Sequence, residues 1–242
     1  DVCSSDLTTA AIEIKGLQAW YGESHILHGV DISVKRGEVV TLLGRNGSGR
    51  TTTLRAIMGL VGTRKGSIKV HGAESIEMRT HNIAHLGLGY CPEERGIFSS
   101  LSCEENLLLP PRLKGKSEGM SLEEIYAMFP NLKERRRSQG TRLSGGEQQM
   151  LAMARILRTG ASILLLDEIT EGLAPVIVDK LGEVLTELKA RGYTIILVEQ
   201  NFRFAAPLAD RHLIMDHGHI VATVARHELE EKRAVFDEYL SV

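Results

Sequence analysis

Cysteine, aromatic side chains and long apolar runs are all scarce in this chain, and no charge of one sign prevails. The three cysteines, Cys3, Cys91 and Cys103, are too few and too scattered for a disulfide framework or a zinc motif, so a reduced, cytosolic protein is expected. Apolar runs such as 163–166 and 194–198 fall far short of the ~18 residues that a membrane span requires. A net charge of −2, from 29 Lys and Arg against 31 Asp and Glu, gives no global basic field to attract nucleic acid or acidic lipid. What is present is ordinary for a globular chain: 242 residues, 43% hydrophobic and 25% charged. That length suits one α/β domain, with or without a small inserted lobe, and can bury a substantial core.

The first seven residues, Asp1-Val2-Cys3-Ser4-Ser5-Asp6-Leu7, hold no initiator methionine, apolar signal core or cleavage site. They match the in-frame translation of a widely used sequencing adaptor. Residues 1–10 are therefore expected to be an assembly scar and a disordered start, with the true beginning upstream or near Thr8. A single domain is expected over 11–242.

Periodicity gives the organisation of that domain. Residues 12–18 read as a strand, Trp20-Tyr21-Gly22 as a turn, and 26–34 as a half-buried antiparallel strand. Residues 35–38 make a turn. The unbroken apolar run 39–43 resembles a buried parallel strand, and a glycine-rich loop and a helix over 51–58 follow it. Further strands are expected at 67–70 and 86–90. Strand signals then vanish over about 102–142, where 104–108 and 122–129 carry helical spacing around Pro110-Pro111 and the 115–119 loop, which predicts a helical insertion. The core resumes with a helix at 147–158, a strand at 162–166, a helix at 176–191 and a strand at 193–198. A tail follows with apolar segments at 213–215 and 220–224 and a charged helix.

Three motifs carry chemistry. Gly44-Arg45-Asn46-Gly47-Ser48-Gly49-Arg50-Thr51 has the frame of a phosphate-binding loop, with Arg50 where lysine is usual. Its glycines let successive backbone N–H groups turn towards phosphate oxygens, and the helix that follows adds its dipole. A glycine-rich turn that binds nothing is the alternative on this motif alone. Residues 163–166 lead into Asp167-Glu168, two acids at the tip of a buried strand. Beside a phosphate loop, such an Asp can hold Mg²⁺ through water and the Glu can orient or deprotonate an attacking water. Leu143-Ser144-Gly145-Gly146-Glu147-Gln148-Gln149 combines an N-cap serine, two glycines and a helix start able to receive an anion. The third motif in this order leaves little room for a merely well-capped helix.

With these motifs in place, residues 11–242 resemble the nucleotide-binding subunits of ATP-binding-cassette (ABC) transporters. Within that superfamily the chain is most similar to the shorter ATPase subunit of branched-chain amino acid importers. The similarity rests on Trp20-Tyr21-Gly22, Gly44-Arg45-Asn46-Gly47, Pro92-Glu93-Glu94-Arg95-Gly96-Ile97-Phe98, Glu104-Glu105-Asn106-Leu107, Glu171-Gly172-Leu173-Ala174-Pro175 and Val198-Glu199-Gln200-Asn201. Urea and amide importers have similar subunits. The resemblance implies an ABC-type phosphate-loop NTPase fold with an antiparallel β subdomain and a small helical insertion. It also implies ATP and Mg²⁺. Tyr21 is expected to stack on adenine, and Gly44, Asn46, Gly47, Ser48, Gly49, Arg50, Thr51 and Thr52 to hold the phosphates. Thr51, Glu93 and Asp167 are the expected metal site, and Glu168 and Gln200 the expected catalytic residues, Glu168 as the carboxylate and Gln200 as the side chain at the γ-phosphate. Ser144, Gly145, Gly146 and Glu147 would meet ATP bound to the opposite subunit of a homo- or heterodimer. Transmembrane permease subunits and, indirectly, a solute-binding protein complete the implied partners, with no nucleic acid. The implied location is peripheral, on the cytoplasmic face of the inner membrane.

Four positions depart from the general superfamily pattern. Arg50 stands for lysine, Glu93 for a magnesium-contacting glutamine, Gln200 for a switch histidine and Ala174 for an aspartate. The last three look like features of the importer subfamily. Arg50 motivates a rival reading as a nucleotide-binding regulatory subunit with little turnover. A soluble ABC ATPase acting on DNA or ribosomes is a second rival, but it usually carries paired cassettes, a long coiled coil or zinc insertions. Segments 104–109 and 133–137 are expected to line or flank a groove for a short permease helix. His81 and His85, His217 and His219 are expected on solvated faces, and Met150 and Met153 in helix core.

Overall fold

In the computed structural model, which describes residues 10–113 and 119–240, two long antiparallel strands come first. β1 (Ala10–Tyr21) and β2 (Ser24–Lys35) pair down to Tyr21 opposite Ser24. Trp20 and Tyr21, expected in a turn, end β1 instead. Aromatic residues suit a half-exposed strand, and the reversal falls to Gly22, at φ +58°, with Glu23. Of the expected scar, only Ala10 lies among the described residues, and it opens β1.

β3 (Val39–Leu43), buried at every position, leads through the glycine-rich loop into α1 (Arg50–Ile57). β4 (Thr63–Val70), β5 (Ala73–Glu74), α2 (Thr80–His85) and β6 (Leu88–Cys91) follow. β4 starts earlier than its apolar end indicated. Gly66, at φ +111°, lies against the backbone of β1 so closely that a β-carbon there would come within 2.6 Å of the Gly16 carbonyl oxygen. The pairing shifts register at this point, a bulge that the sequence pattern did not signal.

The expected helical insertion is present as α3 (Cys103–Leu108), α4 (Leu122–Met128) and α5 (Pro130–Glu134), all packed on α6 (Gly145–Arg158). Ser102 with Glu105, and Ser121 with Glu124, form capping boxes that fix the starts of α3 and α4. Phe129, at φ −126°, separates α4 from α5 because a residue before proline is disfavoured in helical geometry. Most of the loop expected at 115–119 lies outside the described residues. The chain closes with β7 (Ile163–Asp167), α7 (Pro175–Ala190), β8 (Thr194–Val198), α8 (Phe202–Ala205), β9 (Arg211–Asp216), β10 (His219–Ala225) and α9 (Arg233–Leu240).

The strands form a four-stranded sheet in the order β2-β1-β4-β5 and a six-stranded one in the order β10-β9-β3-β8-β7-β6. The first is antiparallel, and the second is parallel except for β10. The parallel strands read as unbroken apolar runs because both of their faces are covered. Val40, Leu42, Leu165 and Ile196 pack with Ile12, Leu27 and α1's Leu54 between the two sheets. Leu43, Leu164, Leu166 and Leu197 pack on the other side with α6, α7 and the inserted helices. Met150 and Met153 are buried there, whereas His81, His85, His217 and His219 are exposed, all as expected. Cys91 and Cys103 are buried, and burial pushes both thiols up to about 12. No helix among the described residues is long and apolar enough to cross a membrane.

Candidate functional site

Three parallel strands, β3, β8 and β7, deliver the loop and the acids of the site to one edge of the sheet. β3 is followed by a glycine that nothing larger could replace: a β-carbon on Gly44 would lie 2.2 Å from the Met215 carbonyl oxygen. Gly47 and Gly49 have φ of +80° and +106°, and Gly49 is the N-cap of α1. No side chain caps that helix and no acid occupies its first turn, so its leading N–H groups face the loop's interior without a competing internal acceptor. Ser48 Oγ is buried without a hydrogen-bond partner, which adds a hydroxyl donor to the same loop. The loop is held from behind by Gly218, whose N–H donates to the Ser48 carbonyl at 2.9 Å.

The side chains converge from there. Thr51 Oγ1 donates to Asp167 Oδ1 at 3.0 Å. Asp167, fully buried at the end of β7, also accepts from the Tyr90 hydroxyl at 3.0 Å. Burial pushes its carboxyl up to about 6, against the pull of these two hydrogen bonds. Glu168 follows in a left-handed backbone conformation, φ +47°, with its N–H on the Val198 carbonyl at 2.9 Å. Its carboxylate pairs with Arg50 Nη2 at 3.0 Å and accepts from Gln200 Nε2 at 3.0 and 3.2 Å. Gln200 also donates to Asn46 Oδ1 at 2.8 Å. Glu199, buried at the end of β8, accepts from the Thr170 N–H and hydroxyl at 3.1 and 2.8 Å, and burial raises it to about 7.

Above these groups opens a cavity of about 480 Å³ lined by Asn46, Gly47, Gly49, Arg50, Thr51, Thr52, Glu93, Glu168, Glu171, Gln200 and Ile26. Its size suits a small-molecule ligand, and its lining suits an anionic one with a metal. Thr51, Asp167 and Glu93 offer only oxygen, the donor type that Mg²⁺ prefers. No three His, Cys, Asp or Glu among the described residues are grouped to hold a metal by themselves. A cation here therefore depends on phosphate and water oxygens, as Mg²⁺ usually does, and the residues fit it.

Gly44 and Ser48 shape the loop beneath the cavity. Tyr21 and the 144–147 turn do not line it. Tyr21 is exposed at the end of the β1–β2 hairpin. The 144–147 turn is closed on itself: the Ser144 N–H donates to Glu147 Oε2 at 2.7 Å, and the Glu147 N–H returns to Ser144 Oγ at 3.3 Å. A β-carbon on Gly146 would sit 2.9 Å from Ile177, so α6 and α7 approach closely there. Ser144 is exposed and is not among the residues that line this chain's own cavity.

A second cavity, about 460 Å³, lies among α1, the end of β6 and α6, lined by Arg55, Leu60, Tyr90, Pro92, Pro110 and Arg155 among others. Leu108 and Leu109, at the end of the 104–109 segment, are exposed. Segment 133–137 does not line it: Arg135 pairs with Glu147 at 3.3 Å, beside the 144–147 turn. The segment's short, interrupted basic run indicates a solvated or partner-docking face but cannot say which one. Tyr90 was also missed. Its strand position and aromatic character signalled only packing, and its bond to Asp167 depends on β6 lying next to β7.

Residues 27–171 match the sequence model of a family described as ABC transporter. BraG of Pseudomonas aeruginosa, a high-affinity branched-chain amino acid transport ATP-binding protein, is 38% identical over 93% of this chain and 97% of its own length. LptB of Haemophilus influenzae, the ATP-binding protein of a lipopolysaccharide export system, is 31% identical over 91% and 92%. Among solved structures, a nucleotide-free ATP-binding cassette superposes with a TM-score of 0.82 at 22% identity, covering 96% of this chain and 98% of the other. A dimeric cassette bound to ADP and Pi superposes at 0.77 with 23% identity over 89% and 98%.

Proposed function

Since the chain belongs to the ABC transporter family and is an ATPase of that family, we propose that it energises an importer, coupling ATP binding and hydrolysis at a cassette dimer to uptake of branched-chain amino acids. The observation that carries the site reading is the convergence of Arg50, Thr51, Glu168 and Gln200 on one cavity at the head of α1, with Asp167 buried behind Thr51 and hydrogen-bonded to it. In this reading the loop's backbone donors and Arg50 hold the β- and γ-phosphates. Thr51, Asp167 and Glu93 hold Mg²⁺, which neutralises charge on the phosphates when bound. Glu168 accepts a proton from the water that attacks the γ-phosphorus, and Gln200 holds Glu168 in place. ADP departs as the bridging bond breaks. Ser144 to Glu147 serve the γ-phosphate of a partner subunit's nucleotide, and Tyr21 stacks on the base.

The groove beside Tyr90, Leu108 and Leu109 is the proposed seat of a permease helix, which keeps the subunit peripheral to the membrane. The relatives from lipopolysaccharide export favour a second reading, in which the same engine serves another solute. Co-expression with the permease subunits of a branched-chain amino acid importer, followed by reconstitution with its solute-binding protein, tests both. ATP-driven leucine uptake is the expected result. ATP hydrolysis and permease copurification without leucine uptake would leave the energising role and overturn the solute. Absence of Mg²⁺-dependent phosphate release with the permease present would overturn the role itself.

A further inference from the structure

Arg50 is committed to the protein around it more thoroughly than a phosphate-binding cation needs to be. It is 4% exposed. Nη1 donates to the Glu199 carbonyl at 3.0 Å, at the end of β8. Nη2 meets both Asn46 Oδ1 at 3.1 Å and Glu168 Oε1 at 3.0 Å. Gln200 Nε2 joins the same Asn46 and Glu168 oxygens, so Arg50, Glu168, Gln200 and Asn46 close a ring across the cavity. Among the described residues lining that cavity, Arg50 is the only cation, against the carboxylates of Glu93, Glu168 and Glu171.

We propose that Arg50 is a latch: its guanidinium is the internal counter-ion of Glu168, and a nucleotide phosphate has to take Nη2 from that carboxylate. The inference rests on the nucleotide-binding reading of the site. A planar fork can hold a backbone carbonyl with one nitrogen and a carboxylate with the other, which ties the ends of β8 and β7 to the phosphate loop. An ammonium on lysine's stem is a point charge without that fixed pair of donors. The left-handed backbone at Glu168 contributes by turning the carboxylate back over the loop, and such geometry persists only where surrounding contacts hold it. Two consequences follow. Nucleotide affinity is lower than the loop's donors alone would give, because an existing ion pair is displaced. Glu168 also loses its counter-ion when phosphate arrives, so it is freed to take a proton only once phosphate is seated.

The test uses Mg²⁺-ADP binding by calorimetry, which avoids turnover, together with thermal unfolding in buffer without nucleotide. Glu168→Gln should tighten ADP binding roughly three- to tenfold in the native background, and less than about twofold in an Arg50→Lys background. Plain repulsion between Glu168 and phosphate would give equal tightening in both backgrounds, and that result overturns the latch. In thermal unfolding, Arg50→Met and Glu168→Gln should each lower Tm, and the double variant should fall no further than the worse single. Additive losses would likewise overturn it. If no variant binds ADP while the Tm cycle remains non-additive, the pair stands and the nucleotide reading of the site fails.

Discussion

Two glycine-rich turns open helices in this chain, and they are built in opposite ways. The 44–49 loop before α1 ends on a left-handed Gly49, carries no side-chain cap and surrounds its helix start with a polar cavity. The 143–147 turn before α6 caps itself twice through Ser144 and Glu147 and stands outside that cavity. The first leaves donors for a ligand and draws in Arg50, Thr51 and the acids of β7. The second uses its own side chains on the Ser144 and Glu147 N–H groups, leaves Ser144 exposed and packs Gly146 against Ile177 of α7. One turn opens onto a cavity of its own chain; the other carries its serine on the surface. A serine that already caps its helix can still offer its hydroxyl proton to an anion, because the capping bond uses only the oxygen as acceptor.

Breaking the first side of this comparison should have the largest effect. Glu168→Gln is expected to lower ATP hydrolysis by roughly two to four orders of magnitude while ATP binding persists. Size-exclusion chromatography should then find an ATP-trapped dimer. Arg50→Ala follows: removing the loop's charged donor should weaken nucleotide binding by roughly ten- to a hundredfold, measured by calorimetry, and reduce turnover in parallel. Tyr90→Phe keeps the ring and removes one donor from Asp167. It should change the Mg²⁺ concentration needed for half-maximal ATPase activity by roughly two- to tenfold, with little change in nucleotide affinity measured without Mg²⁺.

The second side is sharpened by a pair of substitutions. Ser144→Ala should cost about 1 kcal/mol of stability through loss of the cap, read as a drop in Tm. Ser144→Asp should keep the cap and the Tm but abolish ATP-dependent dimerisation, because a carboxylate would then face the partner's phosphate. Equal dimerisation by Ser144→Asp and the native chain would show that this turn only starts a helix.

The elements that positioned the site were legible because their signals are local. The run 39–43, the glycines after it and the acids closing β7 announce a strand, a loop and a strand end without reference to anything distant. The inserted lobe was visible as a change of texture between Ser102 and Arg142. What could not be read were relations set by pairing. Trp20 and Tyr21 were placed in a turn, since nothing local revealed that β2 would pair with them to the end. The bulge at Gly66 depends on the backbone of Gly16. Tyr90 reaches Asp167, and Arg50 reaches Glu168, only because the parallel sheet brings β6, β7 and β3 to one edge. The Arg135–Glu147 pair likewise joins two segments whose charges, read alone, described only solvated surface.

The strand order of the larger sheet has a bearing on how the molecule comes into being. β3, the base of the phosphate loop, is flanked by β8 and β9, which a ribosome produces long after it. A nascent chain that has not yet reached Thr194 contains every residue of the loop and none of the neighbours that hold its strand, nor the Met215 and Gly218 backbone against which the loop rests. Contacts so remote in sequence form late and slowly. The hairpin of β1 and β2, by contrast, can close as soon as it is synthesised. Nucleotide binding is thus among the last properties the chain acquires during its synthesis, and premature stops downstream of the loop should yield polypeptides that never acquire it.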